Sequence, residues 1–289
     1  MYACTNDPSS TAPQKKYDTI TPSGNNTPTT VNSNTVIGTN TVHSINLPKD
    51  TSNIMSNNPN PVYLEFVSAN TTYSGNTLIS DSANKYLLTM KKTYTILALG
   101  DSYTIGEAVS EAERYPNQLA TALRNLGYDI NPPKIIARTG WTTSELMYGI
   151  RMANDTAKYD FVLLLIGVNN QYRGYPVSGY VPEFNALLTT ALGYNGHVKE
   201  HIFVVSIPDY GYTPFGSSNR AVISAGIDTY NAANLHASTA AGVNYINITD
   251  ISRRNETGLV AYDNLHPSGK QYGYWAERIL PYVLAHMDK

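Results

Sequence analysis

Residues 94–102 read YTILALGDS, an apolar run of strand length that ends in Gly100, Asp101 and Ser102. A second run, at 161–166, is continuously apolar, which is typical of a central strand in a parallel sheet. From residue 93 onward such runs alternate with helical patterns, so the sequence predicts βαβ crossovers and a mostly parallel sheet covered on both faces. The predicted strands are Thr95–Leu99, Lys134–Ala137, Phe161–Ile166, His201–Ser206 and Val243–Ile248.

Apolar residues at helical spacing predict the helices between these strands. The first is expected to begin at Pro116, a residue suited to the first helical position, and to stop near Gly127. The others are predicted over Thr143–Ala153, Val181–Leu192, Ser218–Ala241 and Ser268–Met287. In sheets of this kind the ligand site lies beyond the carboxyl ends of the strands. Three residues, Ser102, Gly140 and Asn169, each follow a predicted strand, so we expect them to converge on one edge.

The composition narrows the range of partners. The chain has 289 residues, 42% of them hydrophobic and 15% charged, with a net charge of -2. This balance gives no electrostatic footprint for nucleic acid or for an anionic membrane surface. No apolar stretch reaches the roughly 18 to 20 residues of a transmembrane helix. We therefore expect neither a nucleic-acid partner nor a transmembrane segment, and the sequence does not indicate an oligomeric state.

Cysteine and histidine usage argues against a metal site. Cys4 is the only cysteine, which excludes an intramolecular disulfide and a multi-cysteine zinc site. His197 to His201 match the H-x-x-E-H zinc pattern, which needs a helix to bring both imidazoles to one face. Gly193 and Gly196 precede it and a β-prone run follows, so a turn that enters a strand is the better interpretation. No metal site is expected.

The first part of the chain has a different character. Residues 1 to about 60 are dominated by Asn, Thr, Ser and Pro, and such a segment buries too little apolar surface to offset the entropy of ordering it. Short β-prone pieces at 35–37, 41–47, 62–67 and 86–88 are compatible with a small sheet. We expect residues 1–89 to be an Asn/Thr-rich N-terminal extension, either disordered or a small β element, and residues 90–289 to be the main domain.

Two interpretations of the cellular compartment stay open. The first residues lack the charged and apolar regions of a signal peptide, so the chain as written is expected to be cytoplasmic. Cys4 is alternatively the remnant of a trimmed lipoprotein signal, which implies an exported or lipid-anchored protein.

Five residues form a possible catalytic set. Serine is a poor nucleophile at neutral pH and needs a base within hydrogen-bond reach, and that base needs a carboxylate to orient it. Ser102 follows a strand, while Asp263 and His266 lie three residues apart before the last predicted helix. The backbone N–H of Gly140 and the side-chain amide of Asn169 suit the stabilisation of an oxyanion. Each piece alone also fits an ordinary turn or helix cap.

The order of these pieces resembles the SGNH or GDSL esterase family over about residues 93–289. The matching blocks are Gly100-Asp101-Ser102-Tyr103-Thr104, Gly140, Gly167-Val168-Asn169-Asn170 and Asp263-Asn264-Leu265-His266-Pro267. Two positions depart from the family pattern: Tyr103 stands where Leu is usual, and Asn170 stands where Asp is frequent.

The resemblance implies a three-layer α/β/α flavodoxin-like sandwich with a mostly parallel five-stranded sheet. It implies a serine esterase that acts through an acyl-enzyme, with Ser102 as nucleophile, His266 as base and Asp263 as its partner. The oxyanion hole would consist of Ser102, Gly140 and Asn169, and no cofactor would be required.

Substrate choice is less determined by the sequence. Trp141 is expected to wall the acyl pocket, and Tyr172, Arg173 and Tyr212 to line the rim, where Arg173 either binds an anionic substrate or pairs with a surface carboxylate. The substrate expected is a small ester of a short-chain carboxylic acid. Two alternatives stay open: an acyltransferase that uses the same triad, and a non-catalytic module that binds carbohydrate or a surface through the N-terminal segment.

Overall fold

The computed structural model describes residues 92–287 and, before them, the course of three short strands. The chain divides into two compact units, residues 1–91 and residues 92–289. In the first unit β1, β2 and β3 form an antiparallel sheet with β3 in the centre. Their bounds are Val62–Glu65, Thr77–Ser80 and Lys85–Thr89.

Two of the expected β-prone pieces, at 62–67 and 86–88, coincide with β1 and β3. The pieces at 35–37 and 41–47 lie outside the described residues. The assignment of residues 1–89 as an extension, with 90–289 as the main domain, stays a prediction.

The second unit is built on a five-stranded sheet in which every neighbouring pair is parallel. Its strands are β5 (Ile96–Gly100), β7 (Lys134–Ala137), β8 (Phe161–Leu165), β9 (Ile202–Val205) and β10 (Asn244–Ile246). The spatial order is β10-β9-β8-β5-β7. A separate parallel pair joins β4 (Thr93–Tyr94) to β6 (Asp129–Ile130). The predicted sheet is confirmed, and each strand lies within two residues of its expected bounds.

Helices cover both faces of the sheet. They are α1 (Ser102–Ile105), α2 (Tyr115–Asn125), α3 (Thr143–Ala153), α4 (Val168–Tyr172), α5 (Val177–Tyr194), α6 (Arg220–Ala241), α7 (Thr249–Ser252) and α8 (Gly269–Leu284). In one layer α2 packs against α8, and in the other α5 packs against both α6 and α3. All five residues of β8 are fully buried between these layers. The α/β/α sandwich is therefore confirmed.

The helix α5 differs most from its prediction, because it begins at Val177 instead of Val181. Pro182 therefore lies in its second turn, where it has no N–H to donate to the carbonyl of Ser178. Ser178 is exposed, so water can satisfy that carbonyl. In the described part of the chain, no helix combines the length and the apolar character needed to cross a bilayer.

Gly100 decides how the central strand leaves the sheet. A Cβ atom at this position would overlap the backbone carbonyl oxygen of Leu165 on β8 and the hydroxyl of Thr104 on α1. A side chain is therefore excluded where β5 turns into α1 beside its neighbouring strand. This close approach sets the position of the residues that follow Gly100.

We expect the substitution Gly100→Ala to lower the free energy of unfolding by about 1–3 kcal/mol, because the added methyl group overpacks a buried crossing. Urea denaturation followed by circular dichroism measures the change. The control is Gly179→Ala on α5, where no atom lies within 4 Å of the added Cβ. That variant should gain about 0.5–1 kcal/mol from the better helix propensity of alanine. Equal stability of parent and Gly100→Ala would contradict the close approach.

Candidate active site

Ser102 is the first residue of α1 and directly follows the turn at Gly100. The side chain of Asp101 caps this helix, since its Oδ1 accepts a hydrogen bond from the backbone N–H of Tyr103 at 3.0 Å. Ser102 is only 4% exposed. The capped turn therefore holds the serine at the carboxyl end of the central strand, in a site that admits little water.

Asp101 is a buried carboxyl group with one unpaired oxygen. The residue is fully buried, and its Oδ2 has no hydrogen-bond partner among the described residues. Burial raises the pKa of Asp101 to about 7, against the smaller opposing effect of backbone hydrogen bonds that include the one from Tyr103. Burial therefore disfavours the charged form relative to an exposed aspartate, and this carboxyl changes its charge near neutral pH.

Asp263 and His266 are joined on one turn before α8. The Nδ1 atom of His266 lies 2.5 Å from Oδ2 of Asp263, and Oδ1 accepts the backbone N–H of His266 at 2.9 Å and of Leu265 at 3.0 Å. The turn closes through Asn264, whose φ of 64° is in the left-handed region that asparagine tolerates. The carboxylate thus fixes both the imidazole ring and the turn that carries it.

These hydrogen bonds also set the ionisation of the carboxylate. Partial burial by itself raises the pKa of Asp263, but hydrogen bonds from the His266 ring and from two backbone N–H groups outweigh burial and lower the pKa below its ordinary value. Asp263 is therefore negatively charged at neutral pH and can stabilise a positive imidazolium.

Tyr103 brings the histidine next to the serine turn. Its ring packs edge-on against His266, with ring centroids 5.8 Å apart, and against Trp275 of α8 at 6.2 Å. Tyr103 is the first of the two residues at which this chain departs from the GDSL pattern. The larger aromatic ring fills the space between α1 and the histidine turn, so the departure affects packing directly around the site.

Gly140 lies on the turn after β7, and Asn169 lies in the first turn of α4. Gly140 has a φ of 84°, and its carbonyl accepts a hydrogen bond from Nη2 of Arg173 at 2.7 Å. The side-chain amide of Asn169 donates to the carbonyl of Trp141 at 2.9 Å. Because an amide nitrogen carries two hydrogens, this bond orients the side chain and leaves one donor for another acceptor.

The family of the chain follows from comparison with known proteins. A model of the GDSL-like lipase/acylhydrolase family matches residues 98–274, more than half of the chain, and this range includes the blocks around Ser102, Gly140, Asn169 and His266. The chain belongs to this family. It is a GDSL hydrolase that acts on carboxylic esters, and a comparison with curated proteins found no match.

Solved structures agree on the fold. The esterase EstA from Pseudoalteromonas sp. is 18% identical with a TM-score of 0.51, and the match covers 66% of this chain and 97% of that one. Phospholipase A1 from Streptomyces albidoflavus is 17% identical with a TM-score of 0.52, covering 67% and 99%. A GDSL-family lipolytic protein from Veillonella parvula is 14% identical with a TM-score of 0.55, covering 68% and 100%. At these identities the likeness concerns the fold alone.

Asn170, the second departure of this GDSL hydrolase, joins α4 to the start of α3. Its Oδ1 accepts the backbone N–H of Thr143 at 3.1 Å, and its Nδ2 donates to the Thr143 hydroxyl at 2.8 Å. That hydroxyl in turn donates to Glu183. An aspartate could make the first bond but has no hydrogen for the second, so asparagine matches the Thr143 hydroxyl of this chain.

The predicted rim residues lie near the site but are held by neighbours. Arg173 donates to the Gly140 carbonyl and pairs with Glu145 at 3.2 Å, and the ring of Tyr212 is covered by the guanidinium of Arg220 at 4.5 Å. Tyr172 packs against Phe215 with ring centroids 6.2 Å apart. Of the two alternatives for Arg173, the structure shows the ion pair with a surface carboxylate.

Two contributions to this GDSL hydrolase site were missed by the sequence analysis. The backbone N–H of Phe215 donates to the carbonyl of Asn264 at 3.1 Å, so the aromatic loop supports the turn between Asp263 and His266. The buried second oxygen of Asp101 was also missed. A capping aspartate was a recognised alternative for this motif, but nothing local in a sequence shows how deeply a cap is buried.

The H-x-x-E-H pattern lies on a turn. Residues Lys199–His201 form one turn of 3-10 helix that leads into β9, and His197 has a φ of 69°. The Nδ1 atom of His201 lies 3.0 Å from the carbonyl oxygen of Asp160. Among the residues that the structure describes, no group of three histidine, cysteine or acidic side chains could hold a metal ion.

Titration of Asp101 should be visible in the stability of the protein. Its pKa rises from 3.8 to about 7 on folding, so the folded state binds more protons than the unfolded state between these values. The free energy of unfolding should therefore fall as the pH rises from about 4 to about 7. We expect Asp101→Asn to flatten this dependence and to be the more stable protein at about pH 8.

Urea denaturation across this pH range measures the effect. Asp155→Asn provides a control of opposite sign, because hydrogen bonds from the Tyr159 hydroxyl and the Ala157 N–H lower the pKa of Asp155. Its loss should destabilise the protein at neutral pH. An unchanged pH profile in Asp101→Asn would refute the buried titration.

Proposed function

We propose that this chain is a serine esterase that hydrolyses short-chain carboxylic esters through an acyl-enzyme intermediate, with Ser102 as nucleophile and His266 as general base. The observation that carries the proposal is the hydrogen bond between Nδ1 of His266 and the ionised Asp263. This bond fixes the proton on Nδ1 and leaves Nε2 as the basic atom. Tyr103 packs the same imidazole against the turn that carries Ser102.

In the proposed first step, the Ser102 oxygen attacks the acyl carbonyl carbon while Nε2 of His266 takes the hydroxyl proton. The carbonyl oxygen becomes an oxyanion that accepts hydrogen bonds from the N–H groups of Ser102 and Gly140 and from the Asn169 amide. Asp263 stabilises the imidazolium. His266 then returns the proton to the departing alcohol, and the C–O bond to that alcohol breaks.

The second step releases the acid. A water molecule gives a proton to Nε2 of His266 as it attacks the acyl-serine, and a second tetrahedral intermediate forms in the same oxyanion hole. Its collapse frees the carboxylic acid and restores the Ser102 hydroxyl with the proton from His266. Asp263 keeps its charge throughout, which its lowered pKa supports.

Short acyl groups are favoured by the aromatic rim, which consists of Tyr172, Tyr210 and Phe215. The three ring centroids lie 6.2 to 6.4 Å apart, so each ring packs on the other two. The backbone of Phe215 is anchored to Asn264. A rim braced in this way opens little for a long chain. In this proposal Arg173 supports the Gly140 loop, while Trp141 orients Asn169 through its carbonyl.

Initial rates on p-nitrophenyl esters from acetate to decanoate test the function. We expect the parent to prefer the short esters and Ser102→Ala to lose about 10⁴-fold or more in kcat, because the substitution removes the oxygen that forms the acyl-enzyme. Asp263→Asn should lose about 10³- to 10⁴-fold by releasing the histidine tautomer. A burst of p-nitrophenol would report the acyl-enzyme.

The control for these variants is Ser178→Ala, which removes an exposed hydroxyl on α5. It should match the parent. Equal rates for the parent and a folded Ser102→Ala would exclude the serine mechanism.

A separate variant tests the oxyanion hole. Asn169→Ala should lower kcat by about 100- to 1,000-fold with little change in KM, because the amide acts on the charge that forms only in the transition state. Steady-state kinetics on p-nitrophenyl acetate give both constants, and Asn185→Ala on the exposed side of α5 is the matched control. A change confined to KM would instead assign Asn169 to ground-state binding.

A further inference from the structure

A groove of about 700 Å³ runs between the edge strand β7 and helix α3. It lies at the side of the sheet where β7 has no further strand neighbour among the described residues. The residues that matter most along it are Lys134, Arg138, Trp141, Glu145, Tyr148 and Met152. The groove is not part of the catalytic set described above.

One end of the groove reaches the turn that carries Gly140, since Arg138 and Trp141 both line the groove and close this turn by a hydrogen bond from the Trp141 N–H to the Arg138 carbonyl at 3.2 Å. Trp141, which lines it, directly follows Gly140 and carries the carbonyl that orients Asn169. Glu145, which also lines it, pairs with the arginine that holds the Gly140 carbonyl. A substrate whose ester carbonyl sits at the oxyanion hole can therefore extend past Gly140 into the groove.

Large side chains from α3 and from the turn before it line the groove. Gly149 leaves a slot in the helix, because a Cβ atom there would overlap the ring of Trp141. A glycine inside a helix costs about 0.5–1 kcal/mol relative to alanine, and here it seats the indole against the groove. Next to it, Tyr148 is 62% and Met152 is 65% exposed, one helical turn apart.

The charges available along the groove are positive. Lys134 is the first residue of β7, and Arg138 directly follows the strand. In an extended chain these four positions span about 13 Å. Neither Arg138 nor Lys134 forms an ion pair with any described residue. The charge of Lys134 contributes to the lowered pKa of Asp155, but it is the smallest of the causes. The one acidic lining residue, Glu145, is already paired with Arg173.

We propose that this groove binds a short acidic oligosaccharide that carries the ester, with its sugar rings against Trp141 and Tyr148 and its carboxylates facing Arg138 and Lys134. This inference rests on the proposed esterase function and names its substrate class. The apolar faces of sugar rings suit accessible aromatic side chains, and carboxylates suit cations that form no ion pair with a described residue.

Other occupants fit less well. The groove is open and has charged residues at its rim, whereas a fatty acyl chain requires an enclosed apolar surface. The net charge of -2 and the small number of cations do not suit nucleic acid. In the proposed reaction the acyl group passes to Ser102, and the sugar hydroxyl in the groove leaves with the proton from His266. The groove therefore holds the leaving alcohol.

Kinetics on three substrates test this assignment: O-acetylated oligogalacturonate, O-acetylated xylo-oligosaccharide, which is neutral, and p-nitrophenyl acetate. The variant is Arg138→Gln combined with Tyr148→Ala, in the full-length protein. We expect the ratio of kcat/KM on the acidic oligosaccharide to kcat/KM on p-nitrophenyl acetate to fall about tenfold, mostly through KM. Added salt should raise the KM of the parent for the acidic substrate only.

Arg151→Gln combined with Tyr282→Ala is the matched control, since both residues are exposed and neither lines the groove. An unchanged ratio in the groove variant, or a parent that prefers the neutral oligosaccharide, would overturn the proposal. So would a loss on p-nitrophenyl decanoate alone, which would assign the groove to the acyl chain. Failure of the esterase function itself is separate, because it would appear as Ser102→Ala retaining activity on p-nitrophenyl acetate.

Discussion

The position of Ser102, the proposed nucleophile, depends on a carboxyl group that is withdrawn from water. Asp101 caps the short helix α1 from within the core, and its bond to the N–H of Tyr103 fixes the turn in which Ser102 lies. Gly100 makes this turn possible, since the backbone there touches β8 without space for a side chain. Burial of a carboxyl costs free energy, which its raised pKa reflects, so stability is given up locally to hold one serine in place.

Hydrogen bonds brace the other segments of this edge against each other, and several of the donors are neutral. Asn170 joins α4 to the start of α3. The side-chain amide of Asn169 donates to the carbonyl of Trp141, and the backbone N–H of Phe215 donates to the carbonyl of Asn264 on the histidine turn. Neutral donors brace these loops without placing further charges beside the Asp263–His266 pair. The proposed catalytic geometry is thus held by hydrogen bonds between rigid elements, an arrangement that suits electrostatic stabilisation of a transition state.

The two sides of the site differ in chemistry. Toward β9 and α6 the aromatic rim is packed on itself, whereas toward β7 and α3 the groove is open and carries two cations, Lys134 and Arg138, that form no ion pair with a described residue. The proposed acyl and alcohol parts of the substrate would meet at Gly140 and Ser102, between these two surfaces. Selectivity for the acyl group and for the alcohol could therefore vary independently, since different loops contribute to each.

Much of the fold could be predicted from local patterns. The apolar run of β8 and its alternation with helices gave a parallel sheet. The helix α3 began at the expected residue because Thr142 and Glu145 form a capping box that is local in sequence, and it ended as expected before Asn154, which adopts a left-handed φ of 45°. The early start of α5 was missed, because a proline inside a helix is tolerated only where the affected carbonyl is exposed. That exposure depends on how the helix packs.

The sequence by itself determined the fold class, the family and the set of candidate residues, because strand periodicity, turn chemistry and motif order are written along the chain. Only the tertiary structure decided which side chains are free. Arg173 looks available in the sequence but is bound by Glu145 and the Gly140 carbonyl, while Arg138 has no ion-pair partner in the part of the chain that the structure describes. Likewise the burial of Asp101 arises from residues distant in sequence. The slot that Gly149 opens for Trp141 depends on how the loop before α3 folds back onto that helix. Contacts of this kind depend on packing, which local sequence patterns do not encode.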